Sequence, residues 1–182
     1  VAATLVAAAA DGKQLVSGLE NGGISLWNLA PTQTVAFTGT TGAAVAGIVV
    51  SPSRKLAAVA GVANGKPVVF VRNLDNGQLV HTLAGHTAAV TAIAFSADNA
   101  RLVTGSVDKT VRVWNPANAQ QPEQIKFEGS TGNITAVAFS PDSNQVLSGT
   151  ADNKLRLWNV ADGMSLQEFE GHTGAIVAVG FV

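Results

Sequence analysis

The 182-residue sequence contains no cysteine, no tyrosine, only three histidines and 13% charged residues. Without cysteine there are no disulfides, no thiolate nucleophiles and no cysteine-ligated zinc or iron–sulfur sites. Eleven basic residues against twelve acidic ones give no cationic excess, so we expect no nucleic-acid partner. Apolar runs such as VAGIVV have the length of a strand and cannot span a bilayer, and no signal-peptide pattern is visible. The composition therefore predicts a β-rich globular protein without a membrane partner and leaves its compartment open.

What the sequence does contain is an internal repeat. The segments ISLWNLA, VFVRNLD, VRVWNPA and LRLWNVA follow one another at intervals of 45, 42 and 44 residues, measured between Trp27, Arg72, Trp114 and Trp158. A second landmark with a similar period is a glycine that opens a polar loop: GTTG, GHTA, GSTG and GHTG. Two landmarks in the same order indicate four copies of one structural unit.

Each copy has the pattern of four short strands. In the third unit these are AVTAIAFS (89–96), RLVTGS (101–106), VRVWN (111–115) and EQIKFEG (123–129), separated by turns rich in Asp, Asn and Pro. Such turns favour hairpin-connected antiparallel strands. No window has a sustained 3.6-residue apolar period, so we expect helices to be almost absent.

With this period, a Gly-His loop and a tryptophan in the third strand, the sequence resembles the WD-repeat (WD40) β-propeller family over essentially its whole length. The family's Trp-Asp pair is Trp-Asn or Arg-Asn here. The resemblance implies an all-β propeller of four-stranded antiparallel blades. We expect one arc over 1–182, with blades at about 1–39, 40–85, 86–129 and 130–171. Residues 172–182 would add one terminal strand, which either starts a fifth unit or is swapped.

The resemblance also implies a structural tetrad of His, Ser or Thr, Asp and Trp in each blade. The third unit has all four members: His86, Thr104, Asp108 and Trp114. The other units offer incomplete sets, in which Ser130 stands at the histidine position of the fourth unit and His172 could serve the first unit of a second chain. These incomplete sets are Ser148, Asp152 and Trp158 in the fourth unit, and Ser17, Asn21 and Trp27 in the first.

A His, Ser or Thr and Asp set can also form a hydrolytic triad. Here the set recurs with the repeat and includes a tryptophan, which favours a structural role, so we predict no enzyme. The Asp-Gly turns lack the alternating ligands of a calcium loop, and no phosphate-binding glycine loop is present. We therefore expect no catalytic residues, no metal and no cofactor.

In WD-repeat proteins partners often bind the narrow face around the central channel. The resemblance places a candidate protein-binding face at Thr4, Glu20, Thr91, Val107, Asn133 and Thr135. This set has no Trp, Tyr or Arg, the usual interface hot spots.

The favoured function is a non-catalytic interaction scaffold. The family implies seven or eight blades and this sequence has four units, so we expect a homodimer that closes an eight-bladed ring. The alternatives are an engineered or excised fragment of a longer propeller without binding activity of its own, and a propeller enzyme or lectin.

Overall fold

The protein is built from antiparallel sheets. The computed structural model describes residues 3–8, 13–28, 34–37, 45–53, 55–118 and 123–182, which form sixteen β-strands and no helix. None of the described residues therefore belongs to a helix that could cross a membrane. The prediction of an all-β protein is confirmed.

The strands make four sheets of four, and within each sheet they are hydrogen-bonded in sequence order. The first two sheets consist of β1 (Ala3–Ala8), β2 (Gln14–Leu19), β3 (Ile24–Asn28) and β4 (Thr34–Phe37), then β5 (Gly47–Val50), β6 (Leu56–Ala63), β7 (Lys66–Asn73) and β8 (Leu79–Ala84). The last two consist of β9 (Val90–Phe95), β10 (Leu102–Ser106), β11 (Val111–Trp114) and β12 (Glu123–Phe127), then β13 (Ile134–Phe139), β14 (Gln145–Thr150), β15 (Leu155–Asn159) and β16 (Ser165–Phe169).

Tight turns connect these strands because short polar side chains hydrogen-bond the local backbone. In the turn between β9 and β10, Asp98 Oδ1 accepts the Ala100 N–H at 2.9 Å, and Asn99 has a φ of 63°. Asn and Asp tolerate this left-handed conformation better than most residues. The turn between β13 and β14 repeats the arrangement with Asp142.

The sheets stack face to face, and a separate hydrophobic core fills each interface. Trp114 and Trp158 lie on the face of their sheet that packs on the preceding sheet. We call this face, and the equivalent faces with Trp27 and Arg72 in the first two sheets, the leading face. The opposite face is the trailing face, and in the first three sheets it packs on the following sheet. The three cores contain Val16, Leu26 and Val59 between sheets one and two, Val71, Phe95 and Trp114 between two and three, and Val113, Phe127 and Trp158 between three and four.

One expectation needs correction. Residues 172–182, expected to be an extra terminal strand, are not paired as a strand with any of the four described sheets. A strand exists only beside a partner, and none of the described strands lies against its edge. The segment is nevertheless seated on the fourth sheet, because Ile176 is buried and its N–H donates to Thr150 O at 3.2 Å.

Candidate functional site

The third sheet holds a continuous chain of four side chains. Trp114 Nε1–H donates to Thr104 Oγ1 at 2.8 Å, and Thr104 Oγ1 lies 2.7 Å from His86 Nε2. His86 Nδ1 lies 2.8 Å from Asp108 Oδ2. Since the indole can only donate and the carboxylate can only accept, the network assigns the imidazole proton to Nδ1 and leaves Nε2 to accept from Thr104.

The electrostatics agree with a neutral imidazole. Burial lowers the pKa of His86, and the nearby Asp108 carboxylate only partly opposes this. Burial raises the pKa of Asp108, but hydrogen bonds from the Thr110 hydroxyl, the Thr87 N–H and His86 outweigh it and hold this pKa well below its ordinary value. The pair is therefore a neutral histidine that donates to a carboxylate, as in a buried network whose polar groups are all satisfied.

Two partners of Asp108 were missed by sequence reasoning. Thr110 Oγ1 donates to Asp108 Oδ1 at 2.6 Å, and the Thr87 N–H donates to Oδ2 at 3.0 Å. The sequence carries a signal for the first, because a threonine two residues after Asp can reach it across a tight turn. The second depends on how the Gly-His loop approaches from the preceding sheet, which no local pattern shows.

The fourth sheet keeps only part of this network. Trp158 Nε1–H donates to Ser148 Oγ at 2.8 Å. Asp152 accepts from the hydroxyls of Thr131 and Thr150. Sequence alignment of the loops places Ser130 at the histidine position, but it is the neighbouring Thr131 that contacts Asp152. Thr131 stands at the loop position of Thr87, whose N–H donates to Asp108 in the third sheet.

The first sheet has a tryptophan and a serine without a histidine among its described residues. Trp27 Nε1–H donates to Ser17 Oγ at 2.9 Å, while Asn21 Oδ1 accepts the Gly23 N–H within its own turn. His172 lies far along the chain, on an exposed stretch beside the trailing face of the fourth sheet.

The second sheet replaces the tryptophan with a cation. Arg72 Nη1–H donates to Gly77 O at 3.0 Å, which ties the third strand to the turn that follows it. Ala57 pairs with Arg72 as Leu102 pairs with Trp114, so Val59 stands at the position of Thr104 in this sheet. A valine has no hydroxyl to bridge two polar groups, so this sheet has no tetrad.

The candidate binding face lies at one end of the sheets, at the starts of the first strands and in the turns after the second. Glu20, Val107 and Asn133 are exposed there. Thr91 Oγ1–H points to the carbonyls of Gly105 and Ile134, and Thr135 Oγ1–H donates to Gly149 O at 3.0 Å. These two hydroxyls are therefore engaged in hydrogen bonds to backbone carbonyls within and between sheets. Thr4 belongs to β1, and its side chain lies outside the described part of the chain.

The tetrads have no evident chemistry to perform. The Thr104 hydroxyl is buried and already engaged with both Trp114 and His86, so it presents no nucleophile to a substrate. Across the residues that the structure describes, no three His, Asp or Glu side chains are grouped as metal ligands.

The two end faces of the stack differ from the inner ones. On the leading face of the first sheet, Trp27 is 45% exposed, whereas Trp114 and Trp158 are 1% and 2% exposed. On the trailing face of the fourth sheet, Phe169 is 39% exposed, whereas Phe127 at the same position of the third sheet is 1% exposed. The same types of residue are therefore covered inside the stack and uncovered at its ends.

Comparison with known proteins identifies the repeats. The family model described as "WD domain, G-beta repeat" matches residues 77–115 and 121–159. The chain contains WD40 repeats. Each match spans the last strand of one sheet and the first three strands of the next, and we call each four-stranded sheet a blade.

Curated relatives match part of this WD40 protein. Protein groucho of Drosophila melanogaster is 34% identical over 119 residues, which is 64% of this chain and 16% of that protein. Transducin-like enhancer protein 2 of Mus musculus is also 34% identical over 119 residues, 64% of this chain and 15% of that protein. The chain thus spans about a sixth of the length of these relatives.

A solved structure matches almost the whole chain. The computationally designed Ika8 protein superposes with a TM-score of 0.81 and 30% sequence identity. The match covers 93% of this chain and 50% of the Ika8 chain.

Proposed function

We propose that this WD40 protein is a non-catalytic interaction scaffold and that two copies together close an eight-bladed ring. In this proposal the tetrads stabilise individual blades, because each links the second and third strands through buried hydrogen bonds. The absence of an accessible nucleophile in the tetrad of the third blade supports the non-catalytic part.

The observation that carries the ring is the exposure of two aromatic side chains at equivalent positions. Inside the stack, Phe127 on a trailing face packs flat on Trp158 of the next leading face, with ring centroids 5.3 Å apart and planes 5° apart. At the ends, Phe169 and Trp27 occupy the same two positions and are both exposed. Phe169 of one copy would cover Trp27 of another in the way that Phe127 covers Trp158.

The trailing face of the fourth blade also carries leucines that none of the other described blades covers. Leu147, Leu155 and Leu157 on the trailing face of the fourth blade are partly exposed, whereas their counterparts Val103, Val111 and Val113 are fully buried. Uncovered apolar surface of this kind marks an interface or an aggregation hazard. A new copy that presented its leading face would bury this surface.

Symmetry decides how many copies are needed. The leading and trailing faces are different surfaces, so contacts between them run head to tail and either close into a ring or form a fibre. Two four-bladed arcs joined by a two-fold axis give eight blades, which is within the range of about 4–8 found for propellers. The match of this chain to half of the Ika8 chain supports this size, because two copies have the length of that protein.

For partner recognition we propose the exposed members of the candidate face, Glu20, Val107 and Asn133. Closing the ring would bring the equivalent ends of all eight blades together around one channel. Contacts from several blades could then add up, although no single position has the aromatic or arginine character of a hot spot.

Light scattering on the wild-type chain and two matched variants tests the ring. We expect the wild type at twice the 18.5 kDa of one chain. Leu157→Glu places a charge on the trailing face and should give the mass of one chain. Leu79→Glu, at an exposed leucine of β8, should keep the wild-type mass. A stable wild-type monomer contradicts the ring.

The non-catalytic part has its own test. The protein should leave generic ester, phosphate and glycoside substrates unchanged and should retain members of a peptide panel. Turnover that is lost in Thr104→Val or His86→Gln would contradict the scaffold proposal. A dimer that retains no peptide would favour a structural element without binding activity.

A further inference from the structure

We infer that residues 172–182 of one copy supply the first strand, and His172 the missing histidine, of the first blade of a second copy. This inference rests on the proposed eight-bladed dimer and specifies how its two halves are joined. It requires that β1 of the second copy, Ala3–Ala8, leaves its place.

The first argument is the position that the terminal segment already holds. A Cβ added to Gly149 would lie 2.3 Å from Ile176 Cγ2, and a Cβ added to Gly105 would lie 2.3 Å from Ile134 Cγ2. Ile134 opens the first strand of the fourth blade. Ile176 therefore packs on the fourth blade as the first strand of a next blade would.

The second argument is the side-chain pattern of the segment. Ile176, Val179 and Phe181 repeat Val90, Ile93 and Phe95 of β9 at the same spacing. In β9, Phe95 lies opposite Leu102 in the register and joins the core around Trp114.

The resident strand of the first blade lacks this feature. Ala8 of β1 lies opposite Leu15, which corresponds to Leu102. An alanine cannot cover the neighbouring Trp27, in keeping with the exposure of that indole. Phe181 in place of Ala8 would provide the large apolar side chain that the first blade lacks, as Phe95 does in the third.

The third argument is the histidine. His172 precedes Ile176 by four residues, as His86 precedes Val90, and both stand in a Gly-His-Thr loop. His172 is exposed, whereas His86 is buried against Thr104 and Asp108.

The first blade offers an acceptor site of matching chemistry. Ser17 already accepts from Trp27, as Thr104 accepts from Trp114. With the terminal segment in the first-strand position, the Ser17 hydroxyl would donate to His172 Nε2. Nδ1–H would donate to the Asn21 side-chain carbonyl in place of an aspartate.

The absence of cysteine makes disulfide trapping a clean test. Two chains with one cysteine each, Phe181→Cys and Leu15→Cys, are mixed, unfolded and refolded together under oxidising conditions. The inferred register places these two positions opposite each other, so a disulfide should join two different chains. As the matched control, Ala8→Cys and Leu15→Cys in one chain report whether β1 stays on β2, since these residues are register partners there.

The outcomes separate this inference from the proposed ring. A dimer with the 181–15 cross-link and little 8–15 bond supports the inference. A dimer with a complete 8–15 bond and no 181–15 cross-link overturns it and leaves the ring intact. A wild-type chain with the mass of a monomer overturns both.

The proposed contact of His172 with the first blade of the second copy needs a measurement that reports on the surroundings of Trp27. The three tryptophans, labelled as fluorotryptophan, give separate ¹⁹F NMR signals that are assigned by single Trp→Phe variants. His172→Ala should shift the Trp27 signal and leave those of Trp114 and Trp158 in place. The control Thr82→Ala, at an exposed threonine of β8, should move none of them. An unchanged Trp27 signal in His172→Ala overturns the assignment of this histidine.

Discussion

Phe127 and Trp158 lie on different blades, and their rings stack with centroids 5.3 Å apart and planes inclined by 5°. Both side chains are almost completely buried. The contact links the last strand of one blade to the third strand of the next. Trp158 thus has two roles, because its indole N–H bonds Ser148 within its own blade while its face covers the blade before it.

The tetrad of the third blade should dominate local stability. Trp114→Ala removes a fully buried aromatic and should lower the free energy of unfolding by roughly 3–5 kcal/mol. Arg72→Ala, at the equivalent position of the second blade, should cost much less because no tetrad is lost there. Urea unfolding of both variants measures the difference, and equal losses would contradict the assignment.

Thr104 should matter through its hydroxyl and not through its volume. Thr104→Val keeps the shape but leaves the Trp114 N–H and His86 Nε2 without their shared partner. Each buried unsatisfied group costs about 1–3 kcal/mol, so the variant should be clearly destabilised. Thr82→Val, at a threonine of β8, is the control in the same denaturation series and should stay within about 0.5 kcal/mol of wild type.

Several features of this molecule follow from local sequence. The strand limits of the third blade agree with those predicted from its turns to within two residues, because polar residues between short apolar segments end strands. The hydrogen-bond partners within the incomplete tetrads were harder to foresee. Thr131, and not Ser130, contacts Asp152, and this depends on the path of a loop that the repeat pattern does not show.

Burial at the ends of the stack could not be predicted from the repeat. Trp27 and Trp114 occupy the same position in the corresponding segments ISLWNLA and VRVWNPA, yet one is 45% exposed and the other is buried. The difference comes from the neighbouring blade and not from the segment itself. For the same reason residues 172–182 have the pattern of a strand without being one here, since pairing needs a neighbour.

Stability should fall as the solution becomes acidic, in two steps. The pKa of His86 is lowered by burial, so below about 6.5 the unfolded chain takes up a proton that the folded chain does not, and stability falls. The pKa of Asp108 is also lowered, so its contribution is complete above about 3.8 and is lost as the pH falls further. One proton contributes at most about 1.4 kcal/mol per pH unit.

The histidine step can be isolated by substitution. The free energy of unfolding is measured from about pH 7 to about pH 5 for wild type, His86→Gln and Thr82→Val. His86→Gln should be less stable at neutral pH and should have a flatter dependence on pH. Thr82→Val, which removes no titratable group, should keep the wild-type slope. A wild-type slope in His86→Gln would show that the buried imidazole is not the group that titrates.

The contact between successive blades depends on glycines that leave no room for a side chain. Gly105 lies under the first strand of the fourth blade, where an added Cβ would be 2.3 Å from Ile134 Cγ2 and 2.9 Å from Ile134 Cβ. Both atoms belong to a β-branched side chain whose rotamer is restricted, so the strand itself must move. Gly105→Ala should therefore cost roughly 1–3 kcal/mol, the range for overpacking a dense core. Gly180→Ala, where an added Cβ meets no atom within 4 Å in the described part of the chain, is the matched control and should stay within about 0.5 kcal/mol of wild type. If urea unfolding gave both variants the wild-type stability, the close packing of Ile134 on Gly105 would not hold in solution. The comparison that supports the equivalent packing of Ile176 on Gly149 would then fail as well.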